Sequence, residues 1–204
     1  MGLAQPKPIY TGDEYLALER AAEYRSEYLD GEIYAMAGES VPHGLISTNL
    51  VITLGLQLRG KPCAVLSKDI KVQSGMSPGS RFSAKGFYSY PDILVVCGER
   101  QFHDEYRDVL LNPTIIIEVL SPSTETFDRG QKFWRYRQHL PSLVDYLLVA
   151  QSLAHVDHYH KDPDGRWILA SYNGLEASLY LSTIDCTLRL TDIYDRIEFP
   201  PDEE

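Results

Sequence analysis

Two short apolar segments of the chain each carry one acidic residue. Segment 90–96 contains Asp92, directly after Pro91, and segment 114–120 contains Glu118. Both segments are rich in Ile and Val, which is typical of strands that are buried on both faces. A carboxylate in a buried strand is costly unless something compensates its charge. A divalent metal held between two neighbouring strands is the usual chemical reason to keep two such acids.

The ordered set of motifs around these acids resembles the Uma2 family of restriction-type endonucleases. The resemblance covers roughly residues 11–160 and rests on Pro91-Asp92, Glu118-Val119-Leu120-Ser121-Pro122-Ser123-Thr124, Asp128-Arg129, Lys132 and the upstream segments 27–38, 43 and 69–72. It implies the PD-(D/E)XK nuclease fold, an α/β (α+β) architecture with an αβββαβ core. In that fold helices flank a central mixed sheet, and here we expect extra β-hairpins at the N- and C-terminal ends.

The resemblance also implies a chemistry, the hydrolysis of DNA phosphodiester bonds with Mg²⁺ or Mn²⁺ as cofactor. Such an ion activates water, neutralises charge on the phosphate and stabilises the leaving oxygen. Mg²⁺ prefers oxygen ligands and keeps several waters. We therefore expect Asp92 and Glu118 as its ligands, with the backbone carbonyl of Val119 as a third. Lys132 would orient the attacking water and offset charge on the scissile phosphate.

The lysine departs from the common form of the motif. Glu-x-Lys places the lysine two residues after the acid, where this chain has Leu120. The resemblance implies that the lysine comes instead from the following helix, as Lys132. At 100° per residue, Lys132 falls at the edge of the polar arc of that helix, which predicts partial exposure. The alternative is a surface lysine that pairs with Asp128 at i,i+4.

Three further residues have both a functional and a structural interpretation. The resemblance implies that Glu27 is an outer member of the acidic cluster, and the alternative is that it lies on one face of a hairpin. Asp69 is predicted as an additional metal ligand, and the alternative is a salt bridge with Lys68 or Lys71. His43 either caps the helix it begins or reaches the site as a proton carrier or phosphate donor.

The elements that position these residues follow from sequence patterns. Thr11 and Glu14 form a capping box, which predicts a helix to about residue 23. Asp30-Gly31 and Asp164-Gly165 each predict a hairpin. Apolar periodicity predicts two further helices, and apolar runs predict the remaining strands. The expected ranges are an arm over 1–10, hairpins over 25–36 and 156–172, helices over 42–58 and 124–140, strands over 63–66, 69–73 and 144–149, a mobile loop over 74–85 and a frayed tail over 200–204.

Composition restricts the class of protein. A chain of 204 residues with 44% hydrophobic residues suits one domain, and we expect a single nuclease-like domain over 1–204. No apolar run reaches the length of a membrane span, and the first residues do not have the form of a secretory signal, so we expect a cytoplasmic protein. The three cysteines, at 63, 97 and 186, are odd in number and far apart, which predicts free buried thiols.

The net charge of −10 argues against non-specific coating of nucleic acid but is compatible with a nuclease that has a local basic rim. The leading hypothesis is a metal-dependent endonuclease that acts on DNA as a homodimer. The alternative is a catalytically inactive nuclease fold that serves as a binding or regulatory module. Catalysis by a serine is rejected, because Gly-x-Ser-x-Gly is absent and 121–124 suits a helix entry. His155, His158 and His160 are interpreted as solvated strand histidines.

Overall fold

The computed structural model describes residues 8–75 and 85–199. Three of the predicted segments lie wholly or mostly outside these ranges. They are the tail (200–204), most of the arm (1–7) and most of the loop (76–84). Among the described residues, no helix combines the length and the apolar character that crossing a membrane requires.

The first two helices begin at residues whose side chains cap them. The Thr11 hydroxyl and the Glu14 carboxylate form the predicted capping box, and Ser40 accepts a hydrogen bond from the backbone of His43 at the start of the second helix. Ser40, rather than His43, is therefore the cap of that helix. The helices are α1 (Gly12–Ala21), α2 (Val41–Gln57), α3 (Glu125–Phe127), a π-helical turn (Asp128–Lys132), α4 (Phe133–His139) and α5 (Leu190–Ile193).

The strands form three sheets of six, five and two strands among the described residues. In chain order they are β1 (Ser26–Leu29), β2 (Glu32–Ala35), β3 (Cys63–Ser67), β4 (Lys71–Ser74), β5 (Phe87–Ser89), β6 (Ile93–Cys97), β7 (Val109–Leu110), β8 (Ile115–Val119), β9 (Asp145–Val149), β10 (His155–Lys161), β11 (Trp167–Asn173), β12 (Ser178–Leu181) and β13 (Cys186–Arg189).

The six-stranded sheet contains the predicted core. Its order is β11-β10-β9-β8-β6-β3, with β8 and β9 parallel and the other neighbours antiparallel. The αβββαβ order appears along the chain. It runs through α2, β3, β6, β8, the helical segment of α3 and α4, and then β9. Hairpins extend the fold at both ends, so the predicted fold class is confirmed.

Strand β8 lies in the middle of the six-stranded sheet and is buried on both faces. On one face, Ile115 and Ile117 pack in the cluster that includes Leu50 and Leu54 of α2 and the β12–β13 hairpin. On the other face, Ile116 belongs to the cluster formed with the α4 side chains. Full burial of each such aliphatic side chain stabilises the fold by about 1.5–3 kcal/mol. This packing fixes the strand on which Glu118 lies.

The N-terminal hairpin belongs to a second sheet that the sequence did not predict. Its order is β2-β1-β5-β4-β7, and two of its strands are only three and two residues long, too short for a periodic signal. The strand predicted over 69–73 begins instead at Lys71, because Lys68 and Asp69 adopt a positive φ that extended strands do not have. Asp69 therefore lies in the turn before β4.

Two of the three cysteines are not free thiols, so that prediction was wrong. Cys63 and Cys97 face each other in the register of β3 and β6 and form a disulfide. Thirty-four residues separate them in sequence, and only the strand pairing brings them together. Cys186 is free and buried, as expected.

This bond gives a first testable prediction. Alkylation of the denatured protein without a reductant should modify only Cys186, and prior reduction should expose Cys63 and Cys97 as well. Mass spectrometry of the intact chain counts the added groups. Three modified cysteines without reduction would contradict the disulfide, and Cys186→Ser should reduce each count by one.

Candidate functional site

The site lies where strand β6 begins beside the end of strand β8. Asp92 directly precedes β6, and Glu118 is the penultimate residue of β8. Because Ile93 pairs with Ile117 in the antiparallel register, continuing the register by one residue places Asp92 opposite Glu118. Cβ atoms of such cross-strand neighbours lie about 5 Å apart. The structure thus brings together the two acids that the sequence singled out.

Both carboxylate oxygens of Asp92 are engaged. Oδ2 accepts a hydrogen bond from the backbone N–H of Val119 at 2.7 Å, and Oδ1 lies 2.7 Å from Nε2 of His43. These contacts hold the carboxylate between the end of β8 and the first turn of α2. The sequence prediction concerned the carbonyl of Val119, whereas the contact made to the cluster is through its N–H.

The imidazole of His43 is oriented from both sides. The side-chain amide of Gln151 lies 3.3 Å from Nδ1, and an amide nitrogen can only donate there. Nδ1 is therefore the acceptor, and in the neutral ring Nε2 carries the proton that points at Asp92. Gln151 also donates to the carbonyl of Leu120 and accepts a hydrogen bond from Ser40. No pattern in the sequence pointed to Gln151, which follows β9 by two residues.

Glu118 faces the opposite side of the sheet from the α2 core and is almost fully buried, with 3% exposure. Its Oε1 lies 3.0 Å from Nζ of Lys132 and 3.4 Å from the hydroxyl of Tyr136. Burial raises the pKa of Glu118 well above its usual value. Lys132 acts in the opposite direction, and the nearby Asp128 and Asp92 raise the pKa again.

Lys132 is buried, with 5% exposure, so the prediction of a partly exposed lysine was wrong. Its ammonium lies 3.2 Å from Asp128, the i,i+4 partner, and 3.8 Å from Glu27, in addition to Glu118. Burial lowers the pKa of Lys132, but the surrounding carboxylates more than offset this and hold it well above its usual value. Lys132 therefore stays charged, and Glu118 is the member of the pair that takes up a proton as the pH falls.

The π-helical turn explains the position of Lys132. A regular helix with 100° per residue places Lys132 at the margin of the polar arc, but residues 128–132 form a wider turn. The hydroxyl of Tyr146 donates to the backbone carbonyl of Asp128 at 3.0 Å, which anchors this turn on β9. Turns of this kind occur frequently at functional sites. Segment 121–124 forms the expected helix entry, but Thr124 precedes the helix without a side-chain capping bond.

The remaining predicted residues fall in two different places. Glu27, on β1, accepts a hydrogen bond from the backbone N–H of Tyr90 at 3.0 Å and closes the cluster from the second sheet. Asp69 is exposed, with 74% of its side chain accessible, and pairs with Arg25 at 2.7 Å rather than with Lys68 or Lys71. The sequence analysis placed Asp69 on the strand that corresponds to β4. In the structure Asp69 lies in the turn before β4, where its side chain contacts Arg25.

A second grouping overlaps the site. Glu39, His43 and Asp92 each offer one ligand atom, and these three atoms lie within 4.8 Å of one another, so the group could hold a metal ion. Glu39 is exposed and pairs with Lys68. The ends of β6 and β8 and the start of α2 thus collect acids and one histidine around a small volume.

Comparison with solved structures defines the class of fold. A structure from Anabaena variabilis ATCC 29413, described as a "putative nuclease belonging to DUF820", superposes with a TM-score of 0.73. The match covers 93% of this chain and 99% of that one, at 18% sequence identity. The chain therefore has the fold of that nuclease-like protein.

Sequence comparison identifies the family. The model for Uma2, described as "Putative restriction endonuclease", matches residues 13–191, so the chain belongs to the Uma2 family. Two relatives come from Synechocystis sp. Uncharacterized protein slr1290 is 36% identical, over 95% of this chain and 96% of its own length. Uncharacterized protein sll1609 is 35% identical, over 85% of this chain and 93% of its own.

The raised pKa of Glu118 predicts how stability depends on pH in metal-free buffer. A pKa that folding raises contributes stability at low pH, and this contribution is lost as the pH rises above the unfolded value near 4.5. Glu118→Gln is always neutral, so its stability should rise relative to that of the wild type as the pH rises above about 4.5 and through the pKa of folded Glu118. The gain should not exceed about 1.4 kcal/mol per pH unit, and it should level off once folded Glu118 has lost its proton.

Denaturant unfolding at several pH values, with a chelator present, measures this difference. Glu176→Gln is the matched control, because Glu176 is exposed and lies outside the cluster. The control should follow the wild type at every pH. Parallel stability curves for Glu118→Gln and the wild type would show that folding does not raise the pKa of Glu118.

Proposed function

We propose that the chain is a metal-dependent endonuclease that hydrolyses DNA phosphodiester bonds at the cluster of Asp92, Glu118 and Lys132. One observation carries the proposal, the excess of negative charge around Lys132. Three carboxylates, those of Glu27, Glu118 and Asp128, lie within 3.8 Å of a single ammonium, and two of them are nearly fully buried. A fourth, that of Asp92, lies close enough to raise the pKa of Glu118 further. Such an excess is unfavourable in a buried site unless a cation compensates it.

The donor set fits a hard divalent cation. Carboxylate oxygens are the ligands that Mg²⁺ and Mn²⁺ prefer, and one or two of them suffice when water completes the coordination. Asp92 and Glu118 would hold the ion, with a backbone oxygen of Val119 beside them. Asp69, which pairs with Arg25, is left out of this proposed set. When bound, the ion lowers the pKa of a coordinated water and neutralises charge on the phosphate.

The chain's own groups would do the rest of the work. Lys132, held by Glu118 and Asp128, would orient the attacking water and offset charge on the scissile phosphate. Glu27 would keep the ammonium in place from the side of the second sheet. His43, whose ring is fixed between Asp92 and Gln151, would carry a proton between water and the leaving oxygen.

One observation favours the alternative, a nuclease fold that binds or regulates without catalysis. Within the described residues, both oxygens of Asp92 already have partners, and Oε1 of Glu118 is paired with Lys132. Metal binding must compete with these contacts. In this alternative the cluster stabilises the fold, and the protein contacts its partner without cleaving it.

Self-association is part of the proposal, because cutting both strands of DNA commonly uses two copies related by a two-fold axis. Strand β2 lies at the edge of the five-stranded sheet, and Tyr24 and Met36, at either end of the hairpin, are exposed. We propose this hairpin as the dimer contact. Light scattering should give a dimer mass for the wild type and a smaller one for Tyr24→Lys. A monomer mass for the wild type at micromolar concentration would contradict the dimer.

Metal binding should be visible without any substrate. Millimolar Mg²⁺ or Mn²⁺ should raise the melting temperature, because a ligand that binds only the folded state stabilises it by mass action, by about 2.7 kcal/mol at 100 times Kd. Glu118→Gln should remove the shift, and Glu176→Gln should retain it. An equal shift in wild type and Glu118→Gln would exclude Glu118 as a ligand.

Cleavage distinguishes the two functions. With supercoiled plasmid and Mg²⁺ or Mn²⁺, the wild type should cut, Asp92→Ala should be inactive, and Lys132→Met should lose about 10²–10³ in rate. Because Lys132 is buried, Lys132→Met also leaves its carboxylate partners unpaired, which costs about 3–5 kcal/mol of stability. Rates are therefore compared well below its melting temperature. A metal-induced thermal shift without cleavage would favour the binding module.

A further inference from the structure

A second cluster of metal-ligating side chains lies on the opposite face of the six-stranded sheet. It consists of Asp145, the first residue of β9, with His158 and His160 of β10. Asp145 pairs with Ile115 in the register of β8 and β9, three residues before the pairing of Glu118 with Leu148. The cluster is therefore separate from the Asp92–Glu118 site and independent of the proposed function.

The three side chains converge on one point. Nε2 of His158 and Nδ1 of His160 each lie 2.7 Å from the same oxygen, Oδ1 of Asp145. One ligand atom from each residue lies within 4.8 Å of the others. The strand register produces this arrangement, because His160 stands opposite Asp145 and His158 lies two residues earlier on the same face. The interpretation of His158 as a solvated histidine was wrong, since it is buried.

One carboxylate oxygen of Asp145 lacks a well-placed hydrogen-bond donor, although the side chain of Thr183 lies close to the carboxylate. Its Oδ2 is buried and has no hydrogen-bond partner of good geometry among the described residues. A buried polar atom without a partner costs about 1–3 kcal/mol, so such atoms are rare unless something else binds them. Burial raises the pKa of Asp145, but the hydrogen bonds with His158 and His160 contribute to holding it below its usual value.

The ligand types select the class of metal. Two imidazoles and one carboxylate suit Zn²⁺ and related divalent transition metals, whereas Mg²⁺ prefers oxygen ligands alone. The side chain of His160 is 34% exposed, which leaves a path from solvent to the cluster. Three protein ligands also leave a coordination position for water or another small ligand.

We propose that Asp145, His158 and His160 form a binding site for a divalent transition metal of the Zn²⁺ class. The site joins β9 to β10 and takes a different metal from the Asp92–Glu118 cluster. Metal bound there would replace the two hydrogen bonds to Oδ1 with bonds from the carboxylate and both imidazoles, and the proton on each ligating ring nitrogen would move to the other ring nitrogen or to solvent. The turn between β12 and β13 borders it, since the side chain of Thr183 approaches the Asp145 carboxylate.

The test uses Zn²⁺, and Co²⁺ as a coloured substitute, on protein first stripped of metal with a chelator. Measurements are made in Asp92→Ala, because Glu39, His43 and Asp92 could also take Zn²⁺. Calorimetry should show one Zn²⁺ bound per chain, and bound Co²⁺ should give the visible absorption of a nitrogen- and oxygen-ligated ion. Mg²⁺ should not compete at equal concentration.

Paired histidine variants locate the site. Added to Asp92→Ala, His160→Gln should weaken Zn²⁺ binding by at least about 100-fold, since losing even an outer partner of a ligand costs 10–100-fold. His155→Gln is the matched control, because His155 is on the same strand but contacts Asn173 and Asp157. Equal Zn²⁺ affinity in both variants, or no Zn²⁺ binding by Asp92→Ala, would overturn the proposal.

A measurement without further variants covers the case in which His160→Gln does not fold. The ring nitrogen resonances of His158 and His160 in ¹⁵N-labelled Asp92→Ala should shift on addition of Zn²⁺, and those of His155 should not. Shifts confined to other histidines would place the metal elsewhere and contradict the proposed site.

Discussion

The buried ion pair between Glu118 and Lys132 is the interaction on which the arrangement of the site depends. Each charge alone would be costly where it lies, since both side chains are almost fully buried. Their 3.0 Å contact ties β8 to the π-helical turn, and Glu27 extends it to the second sheet. One ammonium thereby connects three parts of the fold that the chain order separates.

The same contact leaves the site unbalanced in charge, and this imbalance links structure to function. The acids around Lys132 outnumber it, so the cluster gains from a further cation or from protonation of Glu118. Protonation of Glu118 as the pH falls lowers this excess of negative charge, and a divalent ion bound there in the proposed function would lower it as well. Under that proposal one carboxylate couples stability to metal binding, whereas His43 and Gln151 fix the neighbouring Asp92 independently of it.

The two faces of the six-stranded sheet offer chemically different ligands. At the ends of β6 and β8 the donors are mainly carboxylates, whereas at the start of β9 two histidines join one aspartate. An acidic chain with a net charge of −10 attracts cations generally, but under the two proposals ligand type would decide which cation each place binds. The sheet keeps the two places apart because successive side chains of a strand point to opposite faces.

The sequence by itself determined where α1, α2, the two hairpins and the central strands lie, and which two acids, Asp92 and Glu118, stand out. The capping box, the Asp-Gly turns and the apolar runs predicted α1, two hairpins, α2 and the central strands, and buried Ile and Val around Glu118 marked it as exceptional. Tertiary structure decided what local pattern does not encode: the Cys63–Cys97 pairing, Arg25 as the partner of Asp69, and Asp145 beside the histidines of β10. Each depends on contacts between residues distant in sequence. Lys132 is buried because the π-helical turn departs from the regular periodicity that the sequence argument assumed, and because the sheet beneath it supplies the acids that make burial of an ammonium possible.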